Sequence, residues 1–239
     1  GVGKSAAGNT ILGREEFRSE ISVTSVTHEC SAAQATVSGR SVTVVDAPGF
    51  FDTDMNPEES MIEIMKSVDL SSPGPHAFLI VFRVGRLTHE DQQILQMIEM
   101  MFGQEVLKYS IILFTHGDWL EDHPIEEIIK KSRDLRCLVD QCGGRCHVFN
   151  NEDQSNREQV NDLLEKIDTM VEQNRRGHYS NQMYEEAQRR REDTKRRQGE
   201  KTAPKSKSGK CLVLRLRNCL FMLLGRCKRL PGWTMQLPW

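Results

Sequence analysis

SVTVVDAPG, residues 41–49, decides how the rest of the chain reads. A short run rich in Val and Thr goes straight into Asp46, Ala47, Pro48 and Gly49. β-Branched side chains favour the pleated strand and Asp-Ala-Pro-Gly is good turn chemistry, so this is a strand that stops on a carboxylate. It is either an ordinary strand-ending turn or the D-x-x-G of phosphate-loop proteins. In the second case Asp46 holds Mg²⁺ through water and the Gly49 amide senses a γ-phosphate.

The start of the chain decides between these. Residues 1–5, GVGKS, are the end of a phosphate-binding loop, G-x-x-x-x-G-K-[ST], whose opening glycine and leading strand would lie before Gly1. Glycine lets backbone approach phosphate closely, and successive N–H groups point inward at the head of a helix. Gly1, Val2, Gly3, Lys4, Ser5 and Ala6 are therefore candidate nucleotide contacts. Lys4 reaches the β- and γ-phosphates, and the Ser5 hydroxyl ligates Mg²⁺. G-K-S alone is a weak signal; its company makes it strong. Thr27, in SVTHEC (25–30), is the candidate switch residue that closes on Mg²⁺ when the γ-phosphate is present.

Further along, Thr115-His116-Gly117-Asp118 follows the apolar run SIILF. A carboxylate there can accept from both the ring N–H and the 2-amino group of guanine, a pair adenine does not offer; the alternative is again a turn. His116 stacks near the base or is an exposed loop histidine. Lys4, Asp46, Asp118 and then Asn150 after the last strand have the order and spacing of a GTP-binding domain.

The apolar rhythm fits that reading. His76–Arg83 and Ser110–Thr115 are continuous apolar runs of strand length, as in strands buried on both faces, and Cys146–Phe149 is a weaker strand. Helical spacing recurs over Pro57–Ser71, His89–Phe102, Pro124–Leu138 and Asn156–Val171. Strands alternating with helices imply a three-layer α/β domain with a mostly parallel sheet, its first strand lying outside this chain. The domain spans 1–177; then come a charged helix (178–198), a flexible linker (199–210) and a basic amphipathic tail (211–239), expected to be helical.

Composition narrows the class. The 239 residues are 38% hydrophobic and 28% charged, which excludes wholesale disorder and fibrous folds. No apolar run approaches the roughly 18 residues of a membrane-spanning helix. Residues 1–174 carry 15 Lys and Arg against 29 Asp and Glu, a balance of −14; residues 175–239 carry 17 against 5, a balance of +12. An acidic body argues against nucleic acid as a partner, and a basic tail suggests an anionic membrane surface on the cytoplasmic side. The seven cysteines suggest reduced thiols in a cytoplasmic protein, and Cys137, Cys142, Cys146 and His147 fit no standard zinc spacing.

Taken together, G-V-G-K-S-x-x-G-N-T-I-L-G, S-V-T-x-x-C, V-V-D-A-P-G-F-F-D, the Leu70–Asp91 block, I-I-L-F-T-H-G-D and F-N-N resemble the AIG1-type guanine-nucleotide-binding domain of the GTPases of immunity-associated proteins (GIMAP). The resemblance covers about residues 1–180. It implies a GTP/GDP- and Mg²⁺-binding α/β domain with modest hydrolysis, homo- or hetero-oligomers of related G domains, and frequent C-terminal membrane attachment. By the same resemblance Ser5, Thr27 and Asp46 form the metal set. Gly1, Gly3, Lys4, Thr27, Gly49, Thr115, His116, Asp118 and Asn150 belong to the nucleotide set.

Hydrolysis of GTP is mostly positioning and charge neutralisation. Ras-like enzymes place a Gln after D-x-x-G to orient water; here Phe50 stands there, so an isolated chain is expected to be slow. Lys4 and Arg86 are the candidate catalytic groups, Arg86 as an arginine finger across a dimer or else as a surface residue pairing with Glu90. Two functions follow: a GTP hydrolase working as a nucleotide-controlled dimer, or a GTP-controlled membrane-associated scaffold in which hydrolysis is incidental. An ATPase is disfavoured by Asp118.

Overall fold

A computed structural model describes residues 2–20, 27, 29–48, 57–71, 73–85, 91–121, 123–175, 177–180, 182, 183, 185, 189 and 219–226. In chain order the elements are α1 (Lys4–Leu12), β1 (Ser31–Val37), β2 (Arg40–Asp46), α2 (Pro57–Leu70), β3 (Ala77–Arg83) and α3 (Asp91–Phe102). There follow β4 (Ser110–Thr115), α4 (Ile125–Lys131), α5 (Arg133–Gln141), β5 (Cys146–Val148), α6 (Glu158–Gln173) and β6 (Cys219–Arg226).

β3 and β4 form the middle of the fold because both of their faces are apolar, and successive strand residues point to opposite sides. Phe78, Ile80 and Phe82 join one core with Ile64 and Val68 of α2, Ile94 and Ile98 of α3, and Ile129 and Leu138 beyond them. Leu79 and Val81 join the other with Ile11 of α1 and Leu163 and Ile167 of α6. Helices thus cover both faces, giving the three layers expected.

The strand order is β1-β2-β6-β3-β4-β5. β3, β4 and β5 are parallel. β1 and β2 make an antiparallel hairpin through Ser38 (φ 49°) and Gly39 (φ 75°), the two left-handed residues that a tight primed turn requires. β6 is antiparallel to both β2 and β3, so those two run the same way. The C-terminal ends of β2, β3, β4 and β5 therefore share one edge, where open α/β sheets place their ligands.

Three elements depart from the sequence reading. The tail was expected to be helical, yet Cys219–Arg226 is a strand pairing Leu223 with Val44 on one side and with Ala77 on the other. Hydrogen bonding on both sides outweighs a local leucine spacing that suits a helix. The segments 199–210, 211–218 and 227–239, and most of the expected helix at 178–198, lie outside the described residues. The helix expected over Pro124–Leu138 is two, because Ser132 adopts an extended conformation and caps α5 by accepting from the Leu135 amide at 3.3 Å. β1, SAATV-like in composition with one Gln, has no strong strand signal and forms through its hairpin. Tyr179 is fully buried, edge-on to Phe78 and Phe102, and its hydroxyl donates to the Phe102 carbonyl at 2.5 Å.

Candidate functional site

At the first corner of the strand edge, α1 starts from Gly3, whose φ of 82° is left-handed. A β-carbon there would be strained and would sit 3.2 Å from Asn151 Nδ2, so the turn into the helix requires glycine. Ser5, in the first turn, is nearly buried, and its hydroxyl donates to Asp46 Oδ2 at 2.6 Å. Thr27 Oγ1 lies 3.1 Å from Ser5 Oγ. Asp46, the last residue of β2, is 1% exposed, and its Oδ1 has no hydrogen-bond partner among the described residues. Burial pushes its carboxyl above the usual carboxylate range, against the opposing pull of the Lys4 ammonium and the Ser5 and Thr27 hydroxyls.

The second corner lies at the ends of β4 and β5. Thr115 is fully buried, and its hydroxyl donates to the Val2 carbonyl at 2.7 Å. His116 follows in a left-handed conformation (φ 61°), with Nδ1 3.0 Å from the Thr115 hydroxyl. Gly117 opens the turn carrying Asp118, and its amide donates to the Phe149 carbonyl at 3.0 Å. A β-carbon on Gly117 would come within 2.7 Å of Val148 Cγ1. The Phe149 amide in turn donates to Phe114 at 2.7 Å, so the two base-side loops are laced together. Trp119 shows half of its surface, with the Arg83 guanidinium carbon 4.1 Å from its ring centroid and the His116 ring 5.3 Å away. Burial, with Arg83 assisting, lowers the His116 pKa despite Asp118 and Glu152 nearby.

Asn150 and its neighbours complete this corner. Asn150 Oδ1 accepts from the Glu152 amide at 3.0 Å. Gln159, in the first turn of α6, holds the loop: its Oε1 accepts from the Asn150 amide at 2.9 Å, and its Nε2 donates to the Asn150 and Asp153 carbonyls at 3.1 and 2.9 Å. Behind it His147 Nε2 donates to the Gln159 carbonyl at 2.7 Å, while Nδ1 accepts from the Lys166 ammonium at 3.2 Å, since an ammonium can only donate. Burial takes the His147 pKa down to about 4.

The fold thus brings Lys4, Ser5, Ala6, Thr27 and Asp46 to one corner and Thr115, His116, Asp118 and Asn150 to the other, with Val2 joining them through Thr115. Gly1, Gly49 and Arg86 lie outside the described residues. Sequence reasoning missed Asn151, Gln159, Arg83 and Trp119. The Asn150-Asn151 doublet was visible, but nothing local distinguishes its two members. The metal corner fits a small hard cation: two hydroxyls and a buried carboxylate with one unpaired oxygen are the oxygen donors Mg²⁺ takes, with phosphate and water filling the remaining positions.

A helix springing from a left-handed glycine, with carboxylates at the ends of β2 and in the turn after β4, defines the phosphate-loop class of α/β nucleotide-binding folds. Among solved structures, Toc33 from Arabidopsis thaliana shares the fold with a TM-score of 0.56 at 18% identity, over 72% of this chain and 80% of that one. Toc33 in complex with GDP and Mg²⁺ gives 0.51 at 17% identity, over 72% and 80%. The AIG1 family profile matches residues 1–198, and the chain belongs to that family. It is 36% identical over 196 residues to immune-associated nucleotide-binding protein 9 of Arabidopsis thaliana, covering 79% of this chain and 57% of the relative. It is 35% identical over 175 residues to GTPase IMAP family member 8 of Homo sapiens, covering 72% of this chain and 26% of the relative. The chain therefore spans between about a quarter and three-fifths of the length of these two relatives.

Proposed function

We propose that this chain is a guanine-nucleotide-binding domain that takes GTP and GDP with Mg²⁺ and hydrolyses GTP slowly until two nucleotide faces meet. The observation that carries the reading is the Ser5–Asp46–Thr27 cluster, a buried carboxylate with one oxygen unpaired among the described residues, on the strand edge that also carries Asp118. Lys4 neutralises phosphate charge, the α1 amides cradle the phosphates, and Asp118 accepts from the guanine edge. Mg²⁺, when bound, supplies further positive charge to the phosphate oxygens and is held by Ser5, Thr27 and Asp46.

Phe50, beside Gly49, has no polar atom with which to orient water, which supports slow hydrolysis in a lone chain. Arg86 is the group proposed to cross a dimer of nucleotide faces. The likeness to chloroplast translocon components atToc33 and psToc159, for which dimerization is important for the GTPase activity, is one of fold, at 15% identity and a TM-score of 0.53. Single-turnover hydrolysis should rise with protein concentration and lose that rise in Arg86→Ala, since an arginine given in trans contributes a factor of about 10³–10⁵. Equal rates at all concentrations would leave the scaffold reading, in which GTP controls assembly and turnover is incidental. The +12 balance of residues 175–239 supports placing such an assembly on an anionic cytoplasmic membrane surface. Since Cys219–Arg226 is a sheet strand, the basic stretch 195–217 is the part proposed to meet lipid. Glutamine at its Lys and Arg positions should release the chain from anionic vesicles; unchanged co-sedimentation would refute the attachment.

A further inference from the structure

The two corners of the site are joined by a side chain, the second asparagine of F-N-N, to which neither the nucleotide set nor the hydrolysis scheme gives a role. Asn151 follows Asn150 in the base-side loop, yet its amide turns to the phosphate side. Its Nδ2 donates to the Gly3 carbonyl at 3.3 Å, and its Oδ1 accepts from the Thr10 hydroxyl at 3.0 Å. Thr10 is fully buried on α1, and its hydroxyl also lies 3.0 Å from the Ala6 carbonyl, one turn back. Asn151 therefore grips the helix that carries Lys4 and Ser5 at two points, the carbonyl from which it starts and its second turn.

The same loop holds α1 again at its far end. Arg157 donates to the Thr10 and Ile11 carbonyls, so residues 151–157 brace the length of the helix. Gln159 keeps the loop in shape from the α6 side through its three bonds to Asn150 and Asp153. Asn150, by contrast, spends its Oδ1 on the Glu152 amide within its own loop. The neighbouring asparagines thus have opposite duties, one shaping the loop and the other reaching out of it.

We propose that Asn151 is a positioning residue that sets the phosphate loop against the guanine-reading loop, so that base and phosphates are bound in one register. It touches neither base nor metal. It acts by fixing the Gly3 carbonyl, and with it the direction of the first α1 amides, while Thr10 fixes its own orientation. The proposal rests on the guanine-nucleotide reading above.

The test is calorimetric binding of GDP and inosine diphosphate, each with Mg²⁺, to the full chain and to Asn151→Ala, Thr10→Val and Thr10→Ser, with urea unfolding of each variant. Inosine diphosphate lacks only the 2-amino group that Asp118 reads. Asn151→Ala should weaken both nucleotides about tenfold, the scale of one or two lost hydrogen bonds, and leave their ratio within about twofold. Thr10→Val should weaken both by a similar factor, Thr10→Ser should restore binding, and the Thr10→Val, Asn151→Ala double variant should be no weaker than Asn151→Ala. Unchanged GDP affinity in folded Asn151→Ala or Thr10→Val overturns the proposal. So does a collapse of the GDP to inosine diphosphate ratio, which would make Asn151 a reader of the base. Should the unsubstituted chain not prefer GDP to ADP, the parent reading fails instead, and the two failures are told apart.

Discussion

The metal corner and the base corner lie on the same edge of the sheet and are built on opposite principles. At the base corner the loop backbones find partners inside the protein: Gly117 and Phe149 lace the two loops, and Gln159 satisfies the Asn150 backbone twice over, while the buried Arg83 Nε over Trp119 belongs to a permanent cation. At the metal corner a carboxylate is 1% exposed, keeps one oxygen without a partner among the described residues, and has its charged form penalised by burial. Loops that only have to present a base-reading carboxylate can be finished in advance. A cation site needs charge that the protein cannot neutralise by itself, so it stores an electrostatic cost that the ion relieves.

The comparison breaks most sharply at Asp46. Asp46→Asn should weaken Mg²⁺-dependent nucleotide binding by about 100-fold or more, yet raise the thermal midpoint of the nucleotide-free protein near neutral pH. The sign follows from linkage. With the folded pKa raised, the unfolded chain loses its proton first as pH rises, so the carboxyl costs stability above the unfolded value. Unchanged binding, or a lower midpoint, would remove the distinction between the corners.

The base corner should fail on acidification. His147 is held neutral, so its stabilising form is fully present above the unfolded value near 6.5 and is lost as pH falls toward about 4. Across that window the loss should approach about 3 kcal/mol, readable in urea midpoints, and His147→Gln should flatten the profile. A smaller effect tests the lacing: Gly117→Ala should cost about 1–3 kcal/mol of stability, because its new methyl meets Val148 and the Phe149 carbonyl. If the variant is as stable as the parent, the loops are not as closely bound as the geometry requires.

What the sequence revealed and what it hid divide along similar lines. Ser110–Thr115 is a strand with the bounds its apolar run suggests, and β3 begins one residue inside its run, because burial on both faces leaves a local signature. Asp46 and Asp118 were legible for the same reason: one ends and the other follows a strand whose end can be seen. β1 and β6 were not, since a half-exposed SAAQATV and a leucine-spaced tail become strands only through the partners beside them. Asn151 was hidden more deeply. Its residue type equals that of its neighbour, and only the path of the loop over Gly3 and Thr10 gives it a different task.

The central claim is that the carboxylate in the turn after β4 selects guanine for the site at the end of β2. Titrating the chain and its Asp118→Ala variant with GDP and with ADP, both with Mg²⁺, tests it most directly. The account predicts that the unsubstituted chain prefers GDP and that the variant loses about 100-fold in GDP affinity while its ADP affinity barely moves. Equal binding of GDP and ADP by the unsubstituted chain, or a variant that keeps the preference, would contradict it.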